Sequence, residues 1–189
     1  MSFVLRLILF CSHSKNTKRS KKFRGYTMGN TLVKTQLNDV KSFLGKSILT
    51  LENFLNEATI SQLNLENEED RNYNKLIFAN LRKLAVYSEE GLDACSVILQ
   101  GSPFQKAAAE KTLYKIYHQC IEEFFSPKND AWYEDSRSAY TGRNSIKFYR
   151  TVSDNIVQLV KSLEGDFQRI REELEYYETD YRTKMIQSK

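Results

Sequence analysis

The sequence predicts an all-α protein: an antiparallel bundle of four long helices, with a long ordered loop between the third and the fourth. Three observations predict it. Apolar residues recur at steps of three and four along four stretches, the spacing that places them on one helix face. The 189 residues include only two prolines and seven glycines, so few positions break a helix. No run alternates apolar and polar residues beyond chance, so no strand is expected.

The first helix is expected from Thr31 to Asn56. Its seam is Val33, Leu37, Val40, Leu44, Ser47 or Ile48, Leu51 and Leu55. Gly45 lies beside that stripe, where it costs about 1 kcal/mol against Ala and would let another backbone approach. Residues 58–68 lose the period and read as a loop. Asn67 and Asp70 offer a cap for the second helix, expected from Glu68 to Leu99. Its seam is Tyr73, Ile77, Leu81, Leu84, Ser88, Leu92, Cys95 and Leu99. Gly101 ends it.

Ser102 and Pro103 open the third helix, with Gln105 completing a capping box. It is expected to run from Pro103 to Phe125. Leu113, Ile116, Tyr117, Cys120, Ile121 and Phe124 share one face, and Ser126-Pro127 stops it. The fourth helix follows Ser153 as cap, with Ile156, Val160, Leu163, Phe167, Ile170, Leu174, Tyr177 and Tyr181 in an unbroken four-three rhythm. The phase continues across Gly165, so one long helix is expected. On its other face Arg169 pairs with Glu173, Arg171 with Glu175 and Glu178 with Arg182, each one turn apart. The even rhythm would also suit a homodimer seam.

Charge divides the chain unevenly. Residues 1–27 carry seven basic and no acidic side chains, whereas the remaining 162 carry 21 basic and 24 acidic ones, a net of −3. A nucleic-acid-binding fold carries its positive charge on the fold, so no nucleic-acid partner is expected. The opening SFVLRLILF is too short to span a bilayer and its charge order is not that of a secretory signal. FRGYTMGN resembles a translated ribosome-binding site ahead of Met28. Residues 1–27 are therefore expected to be a disordered basic extension, not translated if the chain starts at Met28. Residues 28–189 then form a single helical-bundle domain. No membrane contact is expected unless residues 1–27 are translated, since an apolar, polybasic tail can bind anionic lipid. The three cysteines are odd in number and lack paired spacing, so no disulfide framework or zinc site follows. A cytoplasmic, reducing location fits them.

No phosphate-binding loop, dinucleotide fingerprint or metalloprotease motif appears. A di-iron bundle needs Glu-x-x-His on two helices, but the chain beyond Met28 has one histidine, His118. No metal, no cofactor and no catalytic residue is expected. His118 and Glu122 stand one turn apart, off the apolar face. A structural or surface role comes first for His118, a general base or metal ligand second.

The densest chemistry lies in SPKNDAWYEDSRSAYTGRN, residues 126–144. Four readings of it compete. First, Trp132 and a tyrosine cover one end of the bundle while arginines and acids pair among themselves. Second comes a partner-binding surface built from Trp132, Tyr133, Arg137, Tyr140 and Arg143, with His118 nearby, because Trp, Tyr and Arg supply most interface anchors. Third, Arg137 and Arg143 serve as forks for a small anion. Catalysis comes last. Thr141-Gly142 reads as a turn. A 25-residue connection over 126–150 exceeds the about 15 residues beyond which loops are usually functional or disordered, and its aromatic content argues against disorder. The acidic, aromatic EELEYYETDY at 172–181 reads as a solvated helix end.

Two segments, AAAEKTLYKIYHQCIEEFFSPKNDAWYEDSRSAYTGRNSIKF and REELEYYETDYRTKM, resemble the YpuI-like family of bacillus proteins, a domain of unknown function. The resemblance runs from Met28 to the C-terminus. It implies a bacterial cytoplasmic protein and brings no activity, cofactor or site residue. The leading expectation is a non-enzymatic protein-binding or adaptor module that uses the 126–150 loop. The alternative is a small-anion sensor or enzyme with Arg137 and Arg143 as anion forks.

Overall fold

The computed structural model describes residues 29–58, 68–135 and 144–187. Four helical rods account for most of them. The first, α1, spans Asn30–Glu57, and α2 spans Glu68–Gln100. The third rod, α3, is α-helical over Lys106–Ile116, π-helical over Tyr117–Ile121 and α-helical again over Glu122–Phe125. The fourth, α4, repeats that plan with Asp154–Tyr176, a π turn at Tyr177–Tyr181 and a last α segment at Arg182–Gln187.

The predicted seams are the buried stripes. Val33, Leu37, Val40, Leu44 and Leu51 of α1 are fully enclosed, as are Ile77, Leu81, Leu84 and Cys95 of α2. Leu113, Cys120, Ile121 and Phe124 of α3 meet Ile156, Phe167, Ile170, Leu174 and Tyr177 of α4 in the same apolar cluster. Burying each large apolar side chain contributes about 1.5–3 kcal/mol, and this shared interior holds the rods together.

Cross-contacts set the directions. Leu44 approaches the Gly91 position while Phe54 stacks on Phe78, so α1 and α2 run oppositely. Lys83 reaches Glu123 and Lys115 reaches Glu90, which makes α2 and α3 antiparallel. Tyr114 meets Tyr181 and Phe124 stacks on Phe167, which reverses α4 against α3. Phe43 packs edge-on against Phe167, and Gln36 bonds the Glu173 carbonyl, so α4 also lies against α1.

Several local expectations need correction. The third helix begins at Lys106, with Gln105 rather than Ser102 at the cap position and no side-chain capping bond. Ser153 does precede α4, but its hydroxyl makes no cap bond; only its carbonyl serves the first turn. Gly45 faces open space and admits no close neighbour. The tight glycine is Gly91, where an added Cβ would stand 3.0 Å from Leu44 Cδ1 and 3.1 Å from Ile116 Cγ1. Arg169–Glu173 and Glu178–Arg182 form as expected, whereas Arg171 turns away from Glu175 to a partner outside its helix. No break occurs at Gly165.

The expectation of no strand also fails, on a small scale. Tyr133–Glu134 (β1) and Ile146–Lys147 (β2) pair antiparallel, Tyr133 opposite Lys147 and Glu134 opposite Ile146. Two residues a side show no readable alternation, and the pair survives through tertiary partners. No helix among the described residues is long and apolar enough to cross a membrane. The expected start at Met28, the proposed Asn67 cap and the Thr141-Gly142 turn lie outside the described residues, as do residues 1–27.

Candidate functional site

The connection from α3 to α4 is built inward before it presents anything outward. A helix end leaves its last carbonyls without partners. At the end of α3, Trp132 Nε1 donates to the Phe124 carbonyl at 2.6 Å. The indole is 1% exposed, with its ring set edge-on to Phe148. The chain reaches that position through a turn in which Asp130 N–H bonds Pro127 O and Asp130 takes φ 53°. Asp tolerates this left-handed conformation better than most residues.

Tyr73 of α2 ties both sides of the connection to the bundle. Its hydroxyl donates to Ala131 O at 2.7 Å and accepts from Tyr149 N–H at 3.0 Å. Burial pushes its phenol above the usual tyrosine value, which keeps the donating proton in place.

The ladder is pinned by two further contacts. Glu134 of β1 receives both guanidinium nitrogens of Arg171, at 2.9 and 3.0 Å. The guanidinium lies 3.8 Å from the centre of the Phe125 ring. This bidentate, stacked geometry is the strong form of an ion pair, and it explains why Arg171 does not serve Glu175. On the other side, Ser145 donates both its backbone N–H and its hydroxyl to Glu164 Oε1, each at 2.6 Å. Glu164 is 4% exposed. Asp135 N–H to Ser145 O continues the ladder.

Among the described residues of the connection, the large apolar side chains left exposed are aromatic. Tyr133 and Tyr149 are 41% and 56% exposed, and their rings lie 4.9 Å apart. Beside them Arg150 pairs with Glu69 and Asp70 on the surface.

Of the residues singled out from sequence, Trp132 is interior: it positions the ribbon and offers no face to a partner. Tyr133 is outward. Arg137, Tyr140 and Arg143 lie outside the described residues. His118 stands apart in the π turn of α3, where its Nδ1 meets the Glu122 carboxylate and its ring meets Tyr114 and Tyr117. All three partners belong to its own helix. Its Nε2 is enclosed without a hydrogen-bond partner among the described residues. Among the described residues, no group of three or more His, Cys, Asp or Glu side chains could hold a metal ion.

Sequence reasoning missed Tyr73, Ser145, Tyr149 and Glu164. Glu164 carried a usable signal, an acid flanked by Leu163 and close to Phe167 on the seam side of α4. The other three carried none, because each acts through a contact made between distant parts of the chain.

A family model described as "Protein of unknown function (DUF3907)" matches residues 37–183. A protein of Bacillus subtilis (strain 168), "Uncharacterized protein YpuI", is 43% identical over 151 residues, covering 80% of this chain and 84% of that protein. No solved structure matches.

Proposed function

This chain belongs to that family of proteins of unknown function, and from that premise we propose that it is a non-enzymatic binding module. Its contact surface is the outer face of the α3–α4 connection. One observation carries the reading. Trp132, Tyr73, the Glu134–Arg171 pair and the Ser145–Glu164 pair all hold a two-residue ladder that carries Tyr133 and sets its exposed ring against that of Tyr149. Exposed aromatic rings on a rigid support lose little entropy on binding and supply interface anchors. The partner is another protein, met in the cytoplasm. Cys95 and Cys120, free and buried, suit that reducing compartment.

The test places a photo-crosslinking amino acid at Tyr133 or at Tyr149 in the native bacterial host. Val97, 70% exposed on α2, serves as the control position. A discrete adduct at both tyrosine positions, absent at Val97 and lost on adding excess wild-type protein, is the expected result. A second copy of this chain in the adduct would make the surface a homodimer interface. Equal labelling at all three positions would refute the surface.

A further inference from the structure

A cavity opens between β2 and the first half of α4. It is open to solvent on one side and has room for about 400 Å3, within the range of small-molecule sites, about 300–1,000 Å3. It is lined by Ile146, Phe148, Val157 and Val160, by the polar Asn144 and Glu164, and by two lysines, Lys147 and Lys161. We propose that this cavity binds a small organic anion: a carboxylate or phosphate head held by the two lysines, joined to a short apolar body.

The charge balance supports an anion. Neither lysine has an ion-pair partner among the described residues. One carboxylate lines the cavity, that of Glu164, and its Oε1 is committed to the Ser145 N–H and hydroxyl. The wall therefore keeps one net positive charge, which draws an anion. Ile146, Phe148, Val157 and Val160 line the same cavity and give a hydrocarbon body on the ligand apolar side chains to meet. The site is largely preformed, because Ser145 on Glu164 fixes the start of β2 against α4, so binding orders little.

This inference rests on other side chains than the partner surface, since neither Tyr133 nor Tyr149 lines the cavity, although Lys147 stands opposite Tyr133 in the ladder. It also differs from the arginine-fork expectation in resting on Lys147 and Lys161.

Trp132 provides the readout. It is the single tryptophan, and its ring lies 6.1 Å from that of Phe148 in the cavity wall. The experiment titrates the full chain with 4-methylpentanoate, isobutyl phosphate and inorganic phosphate, following tryptophan emission and melting temperature. At least one of the two organic anions should give a saturable change with a midpoint near or below about 1 mM, and raise the melting temperature by mass action. A response to the carboxylate alone or to the phosphate ester alone names the head group. The change should vanish in Lys147→Gln/Lys161→Gln and persist in Tyr133→Ala/Tyr149→Ala. No saturable change with either organic anion, or an equal change in the lysine variant, would overturn the proposal. So would inorganic phosphate matching isobutyl phosphate, which would leave the apolar wall without a role.

Discussion

The α1–α2 pair and the α3–α4 pair are built from similar rods and differ in what holds them. Between α1 and α2 the contacts are apolar and regular: Leu44 under Gly91, Phe54 on Phe78, with α-helical backbone throughout. Between α3 and α4 each rod carries a π turn, and the connection is held by an indole on a helix carbonyl, a phenol bridge and two buried or half-buried carboxylates. The first pair shows that a repeated apolar step is enough to make and join two helices. The second shows that a surface with a defined shape needs directional bonds as well, since apolar burial alone does not select one loop conformation.

The strongest test of that contrast strikes the interior that both pairs share. Leu113→Asp or Leu163→Asp buries a charge without a partner, a cost comparable to the whole stability of a domain. Circular dichroism should show loss of helix, and a wild-type melting curve would disprove the shared core. Next in size is Trp132→Ala, which removes a large buried ring and the bond to Phe124 O. It should cost about 3–5 kcal/mol in denaturant unfolding, whereas Tyr133→Ala on the exposed face of the same ribbon should stay within about 0.5 kcal/mol. Comparable losses at both positions would mean that the ribbon is not built inward as described.

A smaller effect isolates one polar contact. Arg171→Ala should cost about 1–2 kcal/mol, and Glu134→Gln should recover part of the loss in the double variant, because the leftover carboxylate is then removed. Additive losses would show that the pair does not act as a unit. Smaller still, and of opposite sign, is Gly165→Ala. Nothing stands within 4 Å of the added methyl group, so helix propensity should raise stability by about 0.5–1 kcal/mol and the melting temperature by about 1–4 °C. Gly91→Ala should lack that gain, since Leu44 and Ile116 must give way.

The last effect is read from the slope of stability against alkaline pH. Burial pushes the thiols of Cys95 and Cys120 from 9.0 up to about 12, so the folded chain keeps those protons where the unfolded chain releases them. Their contribution is complete below pH 9 and is lost as the pH rises towards about 12. Cys95→Ala/Cys120→Ala should flatten the alkaline decline in stability, and an unchanged slope would assign that decline to the tyrosines and lysines that titrate in the same range.

The sequence showed the helical part clearly because a seam residue is recognised by its neighbours three and four positions away. Val33 to Leu51 and Ile156 to Tyr177 needed no knowledge of what they packed against. The π turns were hidden, since Leu113, Ile116, Tyr117, Cys120 and Ile121 fit an α-helical face as well as the real one. Gly45 and Gly91 were not separable either: one faces open space and the other faces Leu44 and Ile116, and only the neighbouring rods distinguish them. The crowding of Trp132, Tyr133 and Glu134 marked the right segment. Its internal order, with Trp132 inward and Tyr133 outward, did not follow from composition.

What the sequence alone determined is the number of rods and the faces they bury. These depend on helical periodicity and on the free energy of removing apolar surface from water, and both are local properties of the chain. Tertiary structure alone decided that Arg171 serves Glu134, that Tyr73 bridges Ala131 and Tyr149, and that Glu164 captures Ser145 beside a cavity lined by two lysines. Each of these is a directional bond between groups 19 to 76 positions apart, and its partner exists only once the rods have packed.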